Sequence, residues 1–236
     1  MMEVIERQPN RRREYAVYLT LSVVSLLFFV FLLPSSGAHF RRFFGETSAI
    51  LVIVAASVAG GAALWVLRSS YGFTIFKGRG TLRGMALSAG FATVLGVAIV
   101  IADLVIRYPE DLNVPVPQAL LFYPAIGFVA EIVFHILPLT LLLLVFKPLA
   151  KPLGRERVVW LGIVLVAILE PSYQILFGGE VFTPGMIYTW LHIFAIAFLQ
   201  LYVFKRFDFV TMYSFRLFYY AYWHILWGMI RLEVLF

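Results

Sequence analysis

The chain has 236 residues, of which 62% are hydrophobic and 14% are charged, and its formal net charge is +6. Soluble domains are about 45–50% apolar and about 25% charged. A folded domain of this size still exposes roughly a quarter of its unfolded surface, so a soluble core cannot hide this apolar excess. The composition therefore excludes a soluble enzyme, a disordered protein and a coiled coil, and it predicts a protein solvated mostly by a lipid bilayer.

A membrane-spanning helix needs about 20 mostly apolar residues. We predict an all-α integral membrane protein with about seven transmembrane helices, at residues 15–33, 48–67, 84–106, 118–146, 158–177, 184–204 and 209–229. No internal repeat or long linker divides the chain, so residues 1–236 are predicted to form a single membrane domain. The first stretch resembles a signal peptide, but its longer apolar run favours an uncleaved signal anchor.

Lysine and arginine are distributed unevenly among the connecting segments. With a cytoplasmic N-terminus, the inner segments hold 14 of the 19 basic residues, including Arg7, and the outer segments hold 4. Cytoplasmic loops of membrane proteins are enriched in these residues. We therefore predict a cytoplasmic N-terminus and an outside C-terminus, in the cytoplasmic membrane of a bacterium or archaeon. The same bias explains the basic charge without a nucleic-acid partner.

Three connecting segments have distinctive compositions. Residues 41–44 and 71–83 mix aromatic side chains with cations, which predicts segments lying along the lipid headgroups. Residues 108–117 are polar and rich in proline, and we predict that they form a tether between two spans.

Ionisable side chains are expensive inside a membrane and commonly mark functional sites. The candidates at membrane depth are Asp103, Glu131, His135, Glu170, His192, Arg216 and His224. Most of them lie in the C-terminal half. We therefore predict that residues 15–106 form an apolar scaffold and that residues 118–230 carry the site.

Glu131 and His135 are four residues apart, so they share one face of a helix. A carboxylate beside an imidazole suits a general base, a pair of metal ligands or a plain hydrogen bond. Glu170 precedes Pro171, which lacks an amide hydrogen and should kink or end the helix beside a wet cavity. His224 lies midway along the last stretch. By depth in the membrane, these four ionisable residues are predicted to meet in one cavity.

The remaining candidates have simpler interpretations. Arg216 is predicted nearer the cytoplasmic end, where its long side chain can reach the interface or pair with Asp208. His192 suits a hydrogen bond between two helices. Asp103 is predicted at the outer interface.

Two segments carry motifs that resemble a known family. Residues 128–135 read FVAEIVFH, and a basic turn at residues 205–208 precedes a helix in which His224 stands four residues before Gly228. These segments resemble the CPBP intramembrane proteases, the CAAX-protease and bacteriocin-processing group, whose first motif reads EExxxR and whose last reads HxxxN. The resemblance covers residues 118–230. It implies a glutamic-type intramembrane endopeptidase, without a cofactor, that cleaves a membrane-anchored peptide or protein.

Only part of the family's motif set is present. Glu131 matches the second glutamate of the first motif, and His224 matches the histidine of the last. Five positions depart from the pattern: Ala130, His135, Val166, Glu170 and Gly228 stand where glutamate, arginine, an aromatic residue, histidine and asparagine are expected. The resemblance implies a base at Glu131 or Glu170, an orienting role for His135 and an oxyanion donor at His224.

Three functions remain open from the sequence. The first is a divergent intramembrane peptidase. The second is a non-catalytic relative that binds a transmembrane segment, a lipid or a pigment, or scaffolds a complex; the missing carboxylate at Ala130 favours it. The third is a metal-dependent or lipid-modifying enzyme, because the four clustered acids and imidazoles are suitable ligands for zinc or iron.

Overall fold

The structure, a computed structural model, describes residues 10–178 and 183–236. Within these ranges it is almost entirely helical and has no β-strand. The long helices, numbered α1 to α7 in chain order, are Arg11–Phe44, Ala49–Tyr71, Arg79–Ile106, Ala119–Val145, Arg155–Gly178, Pro184–Arg206 and residues 209–235. Short helical turns lie at Glu110–Leu112, Lys147–Leu149 and Ala150–Leu153. Arg7, which contributes to the charge bias, lies outside the described residues.

The helices have the length and apolarity of a membrane protein. In the described part of the chain, 5 of them, α1 to α4 and α6, are long and apolar enough to cross a bilayer. The predicted all-α membrane protein is thus confirmed at this level. The other two long helices, α5 and α7, pack into the same bundle and carry Glu170 and Arg216.

Two of the prolines singled out in the sequence lie inside the long helices α1 and α5. Helix α1 continues past Pro34 as far as Phe44, with non-helical torsion angles only at Ser36. The first helical segment thus ends close to the predicted proline, and a second segment, which was not predicted, follows the kink and has residues 41–44 as its last turn. Helix α5 likewise continues through Pro171. Such prolines are tolerated in a membrane because neighbouring helices cover the backbone groups that they free.

The connection between α2 and α3 packs into the bundle. Phe73 and Ile75 are only 5% and 0% exposed, so this part of the predicted headgroup segment packs against the helices. The backbone amides of Phe209 and Val210 donate to the carbonyl groups of Thr74 and Ile75. These bonds join the start of α7 to this connection.

Contacts between helix ends show which ends lie together. Arg68 near the end of α2 binds Glu14 in the first turn of α1, with 2.6 Å between nitrogen and oxygen. Lys205 near the end of α6 binds Glu156 at the start of α5, also at 2.6 Å. Together with the bonds at the start of α7, these contacts gather the starts of α1, α5 and α7 and the ends of α2 and α6. We call this the basic end of the bundle.

Helices α4 and α7 each contain a π-helical turn, at Glu131–Ile136 and Ala221–Trp227. From the first of these turns onward, every fourth residue of α4 is fully buried: Glu131, His135, Leu139 and Leu143. A spacing of four exceeds the 3.6 residues of an α-helical turn. The wider turn therefore helps to keep these side chains facing the bundle. Such turns are frequent at functional sites.

Replacing Gly84 with alanine should loosen the packing of α3 against α7. The added Cβ would lie 2.6 Å from Thr211 Oγ1 and 2.8 Å from a ring carbon of Phe207. Overpacking of this kind costs about 1–3 kcal/mol, so the Tm in detergent should fall. Gly90→Ala on the same helix is the matched control, since its Cβ would meet no atom within 4 Å. Equal Tm values for the two variants would contradict this close packing.

Candidate functional site

Charged side chains from α4, α5 and α7 meet in one network inside the bundle. Arg216 donates from Nε to Glu131 Oε1 at 2.6 Å, and from its two terminal nitrogens to the two oxygens of Glu170 at 3.0 Å each. His135 Nδ1 lies 2.6 Å from Glu131 Oε2. None of these residues is more than 5% exposed. We call Glu131, His135, Glu170 and Arg216 the charge network.

Two uncharged side chains add hydrogen bonds to the acids and the guanidinium of the network. Gln200 donates to Glu131 and accepts from Arg216 at 3.3 Å. The hydroxyl of Tyr220 accepts from the same guanidinium at 3.1 Å. With His135 Nδ1 as a donor, all four carboxylate oxygens of the network accept a hydrogen bond from the protein. Every guanidinium nitrogen also donates.

The network comes close to internal charge balance. Two carboxylates and one guanidinium leave one negative charge, and an imidazolium at His135 would cancel it. His135 Nε2 faces the second carboxylate, 3.4 Å from Glu170 Oε2, although the alignment is not that of a hydrogen bond. Because an unpaired charge is costly in a low-dielectric interior, these side chains stabilise the fold only as a set.

His224, the fourth predicted site residue, lies outside the charge network. Its Nδ1 is 2.7 Å from Asn113 Oδ1, and its ring stacks on Tyr123 with centroids 4.3 Å apart. It approaches the network through Tyr220, whose ring centroid is 4.9 Å from its own. The structure thus brings three of the four predicted residues together. The expectation that His224 meets them directly is wrong, because it faces the connection before α4.

Asn113 occupies the space beside Gly228. A Cβ at Gly228 would lie 3.0 Å from Asn113 Nδ2, so the glycine makes room for this side chain. The Nδ2 atom is buried and has no hydrogen-bond partner among the described residues. An asparagine amide therefore does reach His224, but it comes from the α3–α4 connection and not from four residues further along α7.

Sequence reasoning missed the role of Arg216. It places this residue near the cytoplasmic end with Asp208, but Asp208 instead accepts from the side chain of Thr81 and from the backbone amide of Thr211, capping α7. The guanidinium is 3% exposed. An arginine in an apolar helix, with acids at similar depth on other helices, is the signal that could have indicated the pairing.

Two further candidates have partners away from the charge network. Asp103 accepts from Arg231 at 2.8 and 3.1 Å and from the indole of Trp227 at 2.7 Å. It is fully buried and lies three residues before the end of α3, and the predicted interfacial depth stays a prediction. His192 Nε2 lies 3.1 Å from the hydroxyl of Tyr219, which is the hydrogen bond between two helices that the sequence suggested.

The charge network does not fit a metal ion. Within the described ranges, no group of three or more His, Cys, Asp or Glu side chains is arranged to hold one. The guanidinium of Arg216 contacts both carboxylates and occupies the directions in which they would bind a cation. The geometry therefore gives no support to a zinc or iron site at these residues.

Comparisons with known proteins find no family model, no curated protein and no solved structure that matches this chain.

Proposed function

We propose that this chain is a non-catalytic membrane protein, resembling the CPBP peptidases in architecture, that binds a membrane-anchored peptide without cleaving it. The saturation of the two carboxylates in the charge network carries this proposal. A general base must accept a proton from water. The carboxylate oxygens of Glu131 and Glu170 are already engaged by Arg216, Gln200 and His135.

The peptide-binding surface in this proposal surrounds His224. His224 and Asn113 are partly exposed, in contrast to Glu131 and His135. The Nδ2 group of Asn113 is a buried donor without a partner in the described chain, so a peptide carbonyl reaches it only when the side chains around it move. An unpaired buried donor is costly, so a peptide carbonyl that pairs with it gains binding free energy.

We also propose seven membrane spans, with the N-terminus in the cytoplasm, the C-terminus outside and the chain in the cytoplasmic membrane. The grouping of helix ends at the basic end is what alternating spans require. The excess of Lys and Arg in the inner segments supports a cytoplasmic N-terminus. Reporter fusions after α2 and after α3 should give opposite locations, and matching locations would contradict this topology.

Removing the predicted catalytic groups should not change peptide processing. In membranes from cells expressing E131Q, E170Q or H224A, the peptide N-termini found by mass spectrometry should match those of the wild type. The comparison requires equal protein levels, with E46Q as a control at an exposed position. A terminus that disappears in E131Q and E170Q but persists in E46Q would establish cleavage instead.

The binding part of the proposal has a separate test. A photoreactive amino acid at exposed Leu226, in the same π-helical turn as His224, should crosslink a membrane-anchored peptide in reconstituted bilayers. Combining this probe with Asn113→Ala should lower the crosslinking yield severalfold, because the peptide carbonyl loses its hydrogen-bond donor. Asp111→Ala, an exposed change in the same connection, should leave the yield unchanged. Equal yields in all three proteins would rule out this surface.

A divergent peptidase is the second candidate, and one observation favours it. Tyr220 contacts both His224 and Arg216, so a shift of this ring would join the partly exposed histidine to the buried carboxylates. Arg216 would then have to release Glu131, which could act as the base toward water. His224 and Asn113 would donate to the developing oxyanion. The N-terminal analysis above decides between the two candidates.

A further inference from the structure

A cavity of about 320 Å³ opens at the basic end of the bundle, away from the charge network. It lies where α2 ends at Tyr71, where α5 begins at Arg155 and where α6 reaches its last turn at Lys205. Two of these helices are candidate membrane spans. The ends of such helices lie at the boundary between hydrocarbon and water. The cavity is therefore placed at headgroup depth.

The rim of the cavity carries two cations with unused donors. One terminal nitrogen of Arg155 donates a hydrogen bond to the carbonyl of Ser70. The guanidinium carbon lies over the ring of Tyr71, 5.3 Å from its centroid. Lys205 binds Glu156 and lies over Trp160 at 5.1 Å. A guanidinium has five N–H donors and an ammonium three. Both groups are thus held in position by these contacts with donors to spare.

The inner wall of the cavity is apolar. Phe73 and Val159 line it and are 5% and 4% exposed. The ring of Phe73 in turn packs on Phe204, with centroids 4.6 Å apart. Cations above an apolar wall suit an amphiphile whose charged group faces water and whose remaining part enters the bilayer.

Among the described residues that line the cavity, Glu156 is the one acidic group, and it limits the positive charge there. The hydrogen bond from Lys205 lowers the pKa of the Glu156 carboxyl, which is therefore ionised at neutral pH. Its side chain is 69% exposed, so it can move into water when a stronger anion arrives. With two cations and one carboxylate, the lining retains a net positive charge.

We propose that this cavity binds a phosphate group, with Arg155 and Lys205 as its ligands and the headgroup of an anionic phospholipid as its source. Basic pockets between membrane helices at the cytoplasmic face commonly bind such headgroups. The proposal is independent of the peptide surface at His224, because the two sites share no residue.

The test measures lipid retention by native mass spectrometry and the Tm in nanodiscs of phosphatidylcholine with or without phosphatidylglycerol. The wild type should retain phosphatidylglycerol and gain Tm when it is present. R155Q/K205Q should bind it about 25-fold more weakly, because each basic residue near an anionic surface contributes about fivefold. R155K/K205R should retain binding. E156Q should bind more tightly, because the competing carboxylate is gone.

Two controls make the result specific. R79Q/R83Q removes the same charge from exposed positions on α3 that do not line the cavity, and it should bind as the wild type does. Inorganic phosphate added to pure phosphatidylcholine nanodiscs tests the soluble source. A Tm gain with phosphate that R155Q/K205Q abolishes would keep the site and reassign its ligand. Equal phosphatidylglycerol binding by R155Q/K205Q and R79Q/R83Q, with no phosphate effect, would overturn the proposal.

Discussion

Replacing Arg216 with methionine should destabilise the protein more than any other single change in the charge network. Glu131 and Glu170 would lose the guanidinium that contacts three of their four oxygens. Breaking a buried ion pair by removing one partner costs about 3–5 kcal/mol, because an uncompensated charge stays in the interior. The expected result is a large fall in the Tm in detergent and in the amount of folded protein in the membrane.

The same argument predicts which change restores stability. Replacing a whole buried ionic cluster by uncharged residues of similar size is often neutral or stabilising. The triple variant E131Q/E170Q/R216M should therefore recover most of the Tm that R216M loses. Arg216→Lys should fall between them, because it keeps the charge but loses the planar fork that reaches both acids. A wild-type Tm for R216M alone would show that the network contributes little to stability.

Asp103→Ala should have the second-largest effect. Arg231 is fully buried, with 0% exposure. The substitution would leave it without its only acidic partner among the described residues. The expected loss is again about 3–5 kcal/mol. The connection after α3 should also become sensitive to protease, because the same guanidinium holds the carbonyl groups of Tyr108 and Pro109.

The control for this variant is the other ion pair in that region. Asp111 contacts Arg42 at 3.5 Å, with side chains 81% and 50% exposed. Exposed pairs contribute little to stability because solvent screens them. Asp111→Ala should therefore leave both the Tm and the rate of proteolysis close to those of the wild type. Equal losses in the two variants would contradict a special role for burial at Asp103.

Much of the fold follows from local pattern. Apolar runs bounded by charges and glycines predict helices at nearly the observed positions, since each helix satisfies its own backbone in the membrane. The pairing of Glu131 with His135 also follows, because it depends only on a spacing of four along one helix. The helical segment that follows the kink after Pro34 was not predicted. A proline's local penalty at Pro34 or Pro171 is outweighed by packing from neighbouring helices.

The partners of the site residues could not be predicted in the same way. Arg216 and Glu170 are 46 residues apart in sequence, and their contact depends on how α5 and α7 rotate about their own axes. The sequence fixes the depth of a residue in the membrane far better than the direction of its side chain. The same reason explains His224, which lies at a suitable depth but is directed toward Asn113.

The two π-helical turns bear on how this chain can be compared with others. Such a turn holds one more residue than an α-helical turn. Losing that residue would let the turn close into ordinary α-helix while the flanking segments kept their orientation. A deletion elsewhere would swing the rest of the helix by about 100°. Alignment gaps between this chain and distant homologues therefore belong inside Glu131–Ile136 and Ala221–Trp227, and spacings counted across them do not translate directly into angles.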